Sequence, residues 1–154
     1  MNIKRLVAAA AITVGIVSGT ALAQSKDPLV GMWKVNVAKS KGSKGGTTRI
    51  EAAGAGLKWV VDFAGTDGTP THWEFTGNYD GKDNPVTGNS PYGNTAALTR
   101  VDAKTIRITS KQGGKVMVTS TIVLSDDGKT RTTTSKGTDV KGQPVDVVSV
   151  YEKQ

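Results

Sequence analysis

The 154-residue chain contains no cysteine and a single histidine, His72. The absence of cysteine excludes disulfides, thiolate metal ligands and a cysteine nucleophile. One histidine excludes metal sites built from several histidines and argues against the usual hydrolytic triads. We therefore expect no metal, no cofactor and no catalytic residues, and the protein is not expected to be an enzyme.

Long apolar runs are also scarce. After residue 23 no run approaches the roughly 18 residues that a membrane-spanning helix requires, so we expect no membrane span. Before residue 23, the charged pair Lys4 and Arg5 precedes an apolar stretch, and Ala21-Leu22-Ala23 forms an A-x-A cleavage site. This layout predicts a signal peptide over residues 1–23 and a periplasmic or secreted protein. Residues 24–154 then form one domain, because that length suits one core.

The composition of residues 24–154 favours strands. They contain 18 Thr and 15 Val but only 4 Leu and 3 Glu. Side chains branched at Cβ pack well on a pleated sheet, whereas the good helix formers are rare here. The chain is therefore predicted to be all-β.

Turn signals rich in Gly, Asp and Asn recur at hairpin spacing. Such short connections join antiparallel neighbours, because parallel crossovers need a dozen or more residues. The predicted strands lie near residues 31–38, 47–53, 57–64, 71–79, 84–88, 95–101, 105–111, 115–124, 130–138 and 144–152.

Alternation of apolar and polar residues locates the core. Within 57–64, the odd positions from Leu57 to Phe63 are apolar, whereas Lys58 and Asp62 are polar. A buried sheet face without a helix to cover it must close into a barrel or pack as a sandwich. The predicted strand 130–138 is almost entirely polar, as expected if it faces a polar or water-containing cavity. The sequence therefore predicts a single antiparallel up-and-down β-barrel of about eight to ten strands.

Two motifs resemble the ends of known barrels. Gly31-Met32-Trp33 resembles the G-x-W that opens lipocalins and fatty-acid-binding proteins, and Val150-Tyr151-Glu152-Lys153 resembles the last strand of the fatty-acid-binding proteins. The resemblance implies a calycin-type barrel in which Gly31 and Trp33 are structural, with Trp33 plugging one end. In those proteins an Arg and a Tyr on the last strand hold the ligand carboxylate. Tyr151 matches the Tyr, but Ser149 stands at the Arg position.

The segment YDGKDNPVTG, residues 79–88, resembles the middle of a group of small secreted bacterial lipocalin-like proteins. That resemblance covers nearly all of residues 24–154, and the group carries no activity that can be transferred.

Candidate ligand-binding residues follow from the alternation and from the resemblance. Trp59, Phe63, Trp73 and Phe75 are candidates to line an apolar pocket, although they can equally be ordinary core. Arg131 is the candidate to replace the missing arginine, because it lies on the strand before Tyr151. The polar surroundings leave the direction of the Arg131 side chain open, and an inward arginine requires a partner or a wet cavity.

Other candidate chemistries are weaker. The acidic loop from Asp80 to Asn84 lacks the downstream bidentate Glu of a calcium loop, so a turn closed by Asx hydrogen bonds is the better interpretation. His72 and Glu74 share a strand face, but no nucleophile accompanies them, so we interpret them as a solvent-facing pair.

Charge does not indicate a nucleic-acid partner. The formal net charge of +7 falls to +5 without Lys4 and Arg5. The basic residues are spread along the chain, and the aromatic pattern of RNA-binding domains is missing.

Together these features predict an exported, non-enzymatic binding protein that holds a small apolar or amphipathic ligand in a β-barrel cavity. The alternative is a structural or protein-interaction barrel whose interior is filled by side chains and which acts through loops such as 39–46 and 80–94.

Overall fold

The computed structural model describes residues 27–65 and 67–154. They form one antiparallel sheet of eleven strands that curls into a nearly closed barrel, which confirms the predicted all-β class. The predicted signal peptide lies outside the described residues. The strands are β1 (Gly31–Val35), β2 (Gly46–Ala53), β3 (Gly56–Ala64), β4 (Pro70–Asn78), β5 (Asp80–Pro85), β6 (Thr87–Gly88), β7 (Thr95–Arg100), β8 (Thr105–Gln112), β9 (Lys115–Leu124), β10 (Thr130–Thr138) and β11 (Pro144–Lys153).

The strand order is β5-β7-β8-β9-β10-β11-β1-β2-β3-β4-β6. The first and last strands pair near the middle of the sheet, where Val35 lies opposite Tyr151. The two sheet edges are β5 and β6, which are separated in the chain only by Val86. The pairing of β1 with β11 therefore joins the two ends of the chain within one continuous sheet. The two edge strands of that sheet, β5 and β6, come together beside β4.

The close pairing of β6 with β4 depends on Gly88. Its φ is 94°, and a Cβ at this position would lie 2.2 Å from the carbonyl oxygen of His72. Only glycine adopts this backbone conformation without strain and leaves room for the neighbouring strand.

Two predicted strands differ from the structure. The strand predicted over 31–38 ends at Val35, because the Asn36 side chain accepts a hydrogen bond from the backbone N–H of Lys39 and starts a 3-10 turn over Val37–Lys39. The strand predicted over 84–88 is two strands, β5 and β6, which pair with different neighbours. The barrel consequently has eleven strands rather than ten.

One end of the barrel, which we call the closed end, is sealed by residues 27–30. Leu29 and Trp33 are buried there, and the Trp33 Nε1 donates to the carbonyl oxygen of Leu29 over 2.8 Å. The opposite end, which we call the mouth, carries Phe63 and Tyr92, whose stacked rings have centroids 5.9 Å apart.

Among the described residues, no helix is long and apolar enough to cross a membrane.

Candidate functional site

A pocket of about 90 Å³ lies inside the barrel. Its lining comes from strands on opposite sides of the sheet, so the closure of the barrel creates it. The lining residues are Gly42, Ser43, Thr48, Trp59, Val61, Phe63, Ala64, Trp73, Tyr92, Ile108, Ser110, Ser120, Ile122, Arg131, Thr133, Ser135, Val147, Ser149 and Tyr151.

The side of the pocket formed by β3 and β4 is aromatic. Trp59 stacks on Phe75 with ring centroids 6.2 Å apart, and Trp73 stacks on the same ring at 6.0 Å. Trp59, Trp73 and Phe63 line the pocket, whereas Phe75 lies outside the lining and packs against both indoles. Three of the four predicted aromatic residues therefore meet at the pocket, and the fourth supports them.

The opposite side is a row of hydroxyl groups, which we call the hydroxyl face. Its members are side chains at alternate positions of β8 to β11, because strand residues two apart point to the same side. The buried pair Ser120 and Ser135 lies directly across the sheet, and the two Oγ atoms are 2.8 Å apart. The hydroxyl face consists of Ser110, Ser120, Thr133, Ser135 and Ser149.

Arg131 lies at the deep end of this face and points into the barrel. Only 2% of the residue is exposed to solvent. Its Cζ lies 3.8 Å from the ring centroid of Tyr151, directly opposite on β11, and 5.5 Å from that of Trp59. Burial lowers the pKa of Arg131 to about 10, so the guanidinium still carries its charge at pH 7. The inward direction, which the sequence left open, brings Arg131 and Tyr151 together.

The guanidinium has few partners among the described residues. The Arg131 Nη1 donates to the Thr133 Oγ1 over 3.0 Å, but Nε and Nη2 are buried and have no hydrogen-bond partner there. The pocket lining contains no carboxylate. The indole N–H groups of Trp59 and Trp73 are likewise buried without an acceptor in the described part of the chain. The pocket thus holds a positive charge without a carboxylate in its lining, and several of its buried donors have no acceptor among the described residues.

The other arginine on a late strand with an aromatic contact, Arg100, lies at the closed end. Its Cζ is 4.0 Å from the ring centroid of Tyr79, and its Nη2 donates to the Asp27 Oδ2 over 2.7 Å. The Tyr79 hydroxyl donates to the same oxygen over 2.6 Å. Burial and the nearby Asp27 raise the pKa of Tyr79 well above its usual value. Arg100 is therefore part of the seal. Arg107 lies between the buried Ile106 and Ile108 on β8 and is exposed.

The weaker candidates lie on the outer surface. His72 Nδ1 is 2.6 Å from the Asp62 Oδ1, and Glu74 pairs instead with Lys58. The segment from Asp80 to Asn84, predicted to be a loop, belongs instead to β5, with an irregular register between Asp80 and Asp83. There the Asp80 carboxylate accepts from the backbone N–H of Lys82 over 3.0 Å, as an Asx turn requires. Within residues 27–65 and 67–154, no group of three or more His, Cys, Asp or Glu side chains is placed to hold a metal ion.

The sequence reasoning missed most of the hydroxyl face and Tyr92. The available signal was the presence of Ser120 within the otherwise apolar face of β9, which alternation identifies. Comparison with protein-family models and with curated proteins found no match.

Proposed function

We propose that the protein is an exported, non-enzymatic carrier that binds a small amphipathic acid inside its barrel. The calycin-like resemblance at both ends of the chain supports this use of the barrel. In the proposal, the aromatic side of the pocket contacts the apolar part of the ligand, and Arg131 pairs with its acid group.

The observation that carries the proposal is the buried guanidinium without a counterion. An uncompensated buried charge costs several kcal/mol, because the interior cannot replace the hydration that the charge loses. A ligand carboxylate would supply acceptors for the Nε and Nη2 groups that lack partners in the described residues. Tyr151, stacked on the guanidinium, would border the same anion.

A non-enzymatic role is supported by the pocket chemistry. The lining offers hydroxyl groups and one guanidinium but no carboxylate or imidazole that would serve as a general base. We therefore assign the site to binding.

The test compares a carboxylic acid with the matching neutral alcohol, hexanoate and hexanol, by calorimetry on the purified protein. A charge-assisted contact contributes roughly 1.5 to 3 kcal/mol, so Arg131→Gln should weaken hexanoate binding by about one to two orders of magnitude. Tyr151→Phe should have a smaller effect, because it retains the aromatic ring beside the guanidinium. Arg107→Gln removes an exposed arginine from a neighbouring part of the sheet and is the matched control.

Equal binding of the acid by the parent and by Arg131→Gln, with both folded by circular dichroism, would refute the proposed role of Arg131. Export has its own test, since protein purified from its host should begin at Gln24. An intact N-terminus would contradict the predicted signal peptide.

The size of the pocket favours the filled-barrel alternative. At about 90 Å³ it is smaller than the roughly 300 to 1,000 Å³ of sites for drug-sized ligands. The loop between β1 and β2 is held against β11 by two backbone hydrogen bonds between Lys41 and Val148. If no acid binds in an Arg131-dependent way, this alternative becomes the better account.

A further inference from the structure

We propose that the ligand is a short hydroxylated carboxylic acid rather than a long-chain fatty acid. The inference rests on the proposed function, because it names the class of acid that the same pocket selects. It follows from three observations: the volume of the pocket, the number of donors without partners, and the composition of the wall facing the indoles.

The volume sets the length of the ligand. About 90 Å³ is well below the roughly 300 to 1,000 Å³ of sites for drug-sized ligands. A small carboxylic acid suits a pocket of this size, whereas a chain as long as that of palmitate does not. The large indoles of Trp59 and Trp73 occupy much of the remaining interior.

The number of donors without partners in the described residues indicates how many acceptor atoms the ligand needs. Arg131 provides two donor nitrogens, Nε and Nη2, without partners in the described residues, and Trp59, whose ring centroid is 5.5 Å from the guanidinium carbon, provides a third. One carboxylate has enough lone pairs for these three donors. Trp73 adds a fourth, about two residues closer to the mouth, since Phe75 and not Trp73 lies opposite Trp59. A second acceptor on the ligand, separate from the carboxylate, would satisfy it.

The hydroxyl face indicates which chemical group the second acceptor of the ligand is. Thr133 and Ser135 follow Arg131 at successive inward positions of β10, and Ser149 and Ser120 lie opposite them on the neighbouring strands. A hydroxyl group both donates and accepts, so such a wall suits a ligand hydroxyl better than an alkyl chain. An apolar chain at this wall would cover the hydroxyl groups without offering them a hydrogen bond.

The experiment uses four probes that differ by one feature each: lactate, propionate without the hydroxyl, lactamide without the charge, and palmitate with a long chain. Nuclear magnetic resonance follows the indole N–H signals, since a new hydrogen bond shifts them directly. The indole of Trp33 already donates to Leu29 and is the internal control. We expect lactate to shift the Trp59 and Trp73 signals but not the Trp33 signal, and to bind roughly tenfold tighter than propionate.

The variants separate the hydroxyl face from the arginine. Ser135→Ala should weaken lactate binding more than propionate binding and so reduce the preference for lactate. Thr132→Ala on the same strand is the control, because Thr132 does not line the pocket. Arg131→Gln should weaken lactate and propionate together.

The outcomes distinguish this inference from the proposed function. Arg131-dependent binding of palmitate without binding of lactate would overturn the inference and leave the proposed function standing. Equal affinity for lactate and propionate would also overturn it. If none of the three acids binds in an Arg131-dependent way, both this inference and the proposed function fail.

Discussion

Two arginines of the barrel stack on tyrosine rings in nearly the same way, but their surroundings differ. Arg100 lies over Tyr79 at the closed end, and Asp27 accepts hydrogen bonds from both side chains. Arg131 lies over Tyr151 in the interior, and no carboxylate of the described residues reaches it. The closed end therefore contains the complete set of arginine, tyrosine and carboxylate, whereas the pocket contains only the first two.

This difference separates a structural contact from a proposed ligand site. At the closed end a carboxylate from the chain itself holds the segment 27–30 against the barrel, so the arrangement stabilises the fold. In the pocket the same pair is more deeply buried and lacks the acid, so we expect it to lower the stability of the ligand-free protein. Asp27 thus shows what Arg131 and Tyr151 would hold if a ligand supplied a carboxylate.

The largest effect is expected at Trp33, which contacts Arg131 on one side and the segment 27–30 on the other. Its ring centroid lies 5.4 Å from the Arg131 Cζ, and its Nε1 donates to Leu29 beside the closed end. Trp33→Ala should lower the free energy of unfolding by about 3 to 5 kcal/mol, because it leaves a cavity in the core. Urea unfolding measures it. Met32→Ala, at an exposed position of the same strand, should cost less than about 1 kcal/mol; equal losses would disprove the packing role of Trp33.

Removal of the carboxylate should make the closed end resemble the pocket. Asp27→Asn leaves Arg100 without its charged acceptor, and we expect a loss of about 1.5 to 3 kcal/mol in the free energy of unfolding. The control is Asp126→Asn, whose carboxylate is 94% exposed although it pairs with Lys104; this change should cost less than about 0.5 kcal/mol. A similar small loss in both variants would show that the Asp27 contacts contribute little.

The reverse change tests the pocket. Arg131→Met replaces a buried charge by an apolar side chain and should raise the free energy of unfolding of the ligand-free protein by about 1 to 2 kcal/mol. Arg100→Met should lower it, because Asp27 then loses its partner. Thermal and urea unfolding of the two variants measure the signs. A loss of stability in Arg131→Met would mean that its contacts with Tyr151 and Thr133 outweigh the cost of burial.

The sequence predicted more of the fold than of the site, for physical reasons. Turn residues and alternation are local signals, so most strand bounds lie within about two residues of the structure. The bounds differ more where a side chain forms a hydrogen bond that ends the strand, as the Asn36 side chain does after β1. The direction of Arg131 was not predictable, because Thr132, Thr133 and Thr134 give β10 no apolar alternation to follow. The pocket volume depends on how the indoles pack, which no local pattern encodes.

The smallest effect concerns pH, and it compares Tyr92 at the mouth with Arg131 in the pocket. Burial raises the pKa of Tyr92 to about 12, from an ordinary value of 10.0. Above pH 10 the unfolded chain therefore loses this proton while the folded chain keeps it, so the contribution of Tyr92 to stability falls between about pH 10 and 12. Burial lowers the pKa of Arg131 to about 10 from 12.5, and the contribution of Arg131 to stability rises with pH over the same range.

Tyr92→Phe should make the change in unfolding free energy per pH unit more positive, and Arg131→Met should make it more negative. One titrating group contributes at most about 1.4 kcal/mol per pH unit, and Tyr92 keeps some exposure, so we expect differences below about 1 kcal/mol in urea unfolding between pH 10 and 11. Identical slopes in both variants and the parent would show that neither burial governs the alkaline stability.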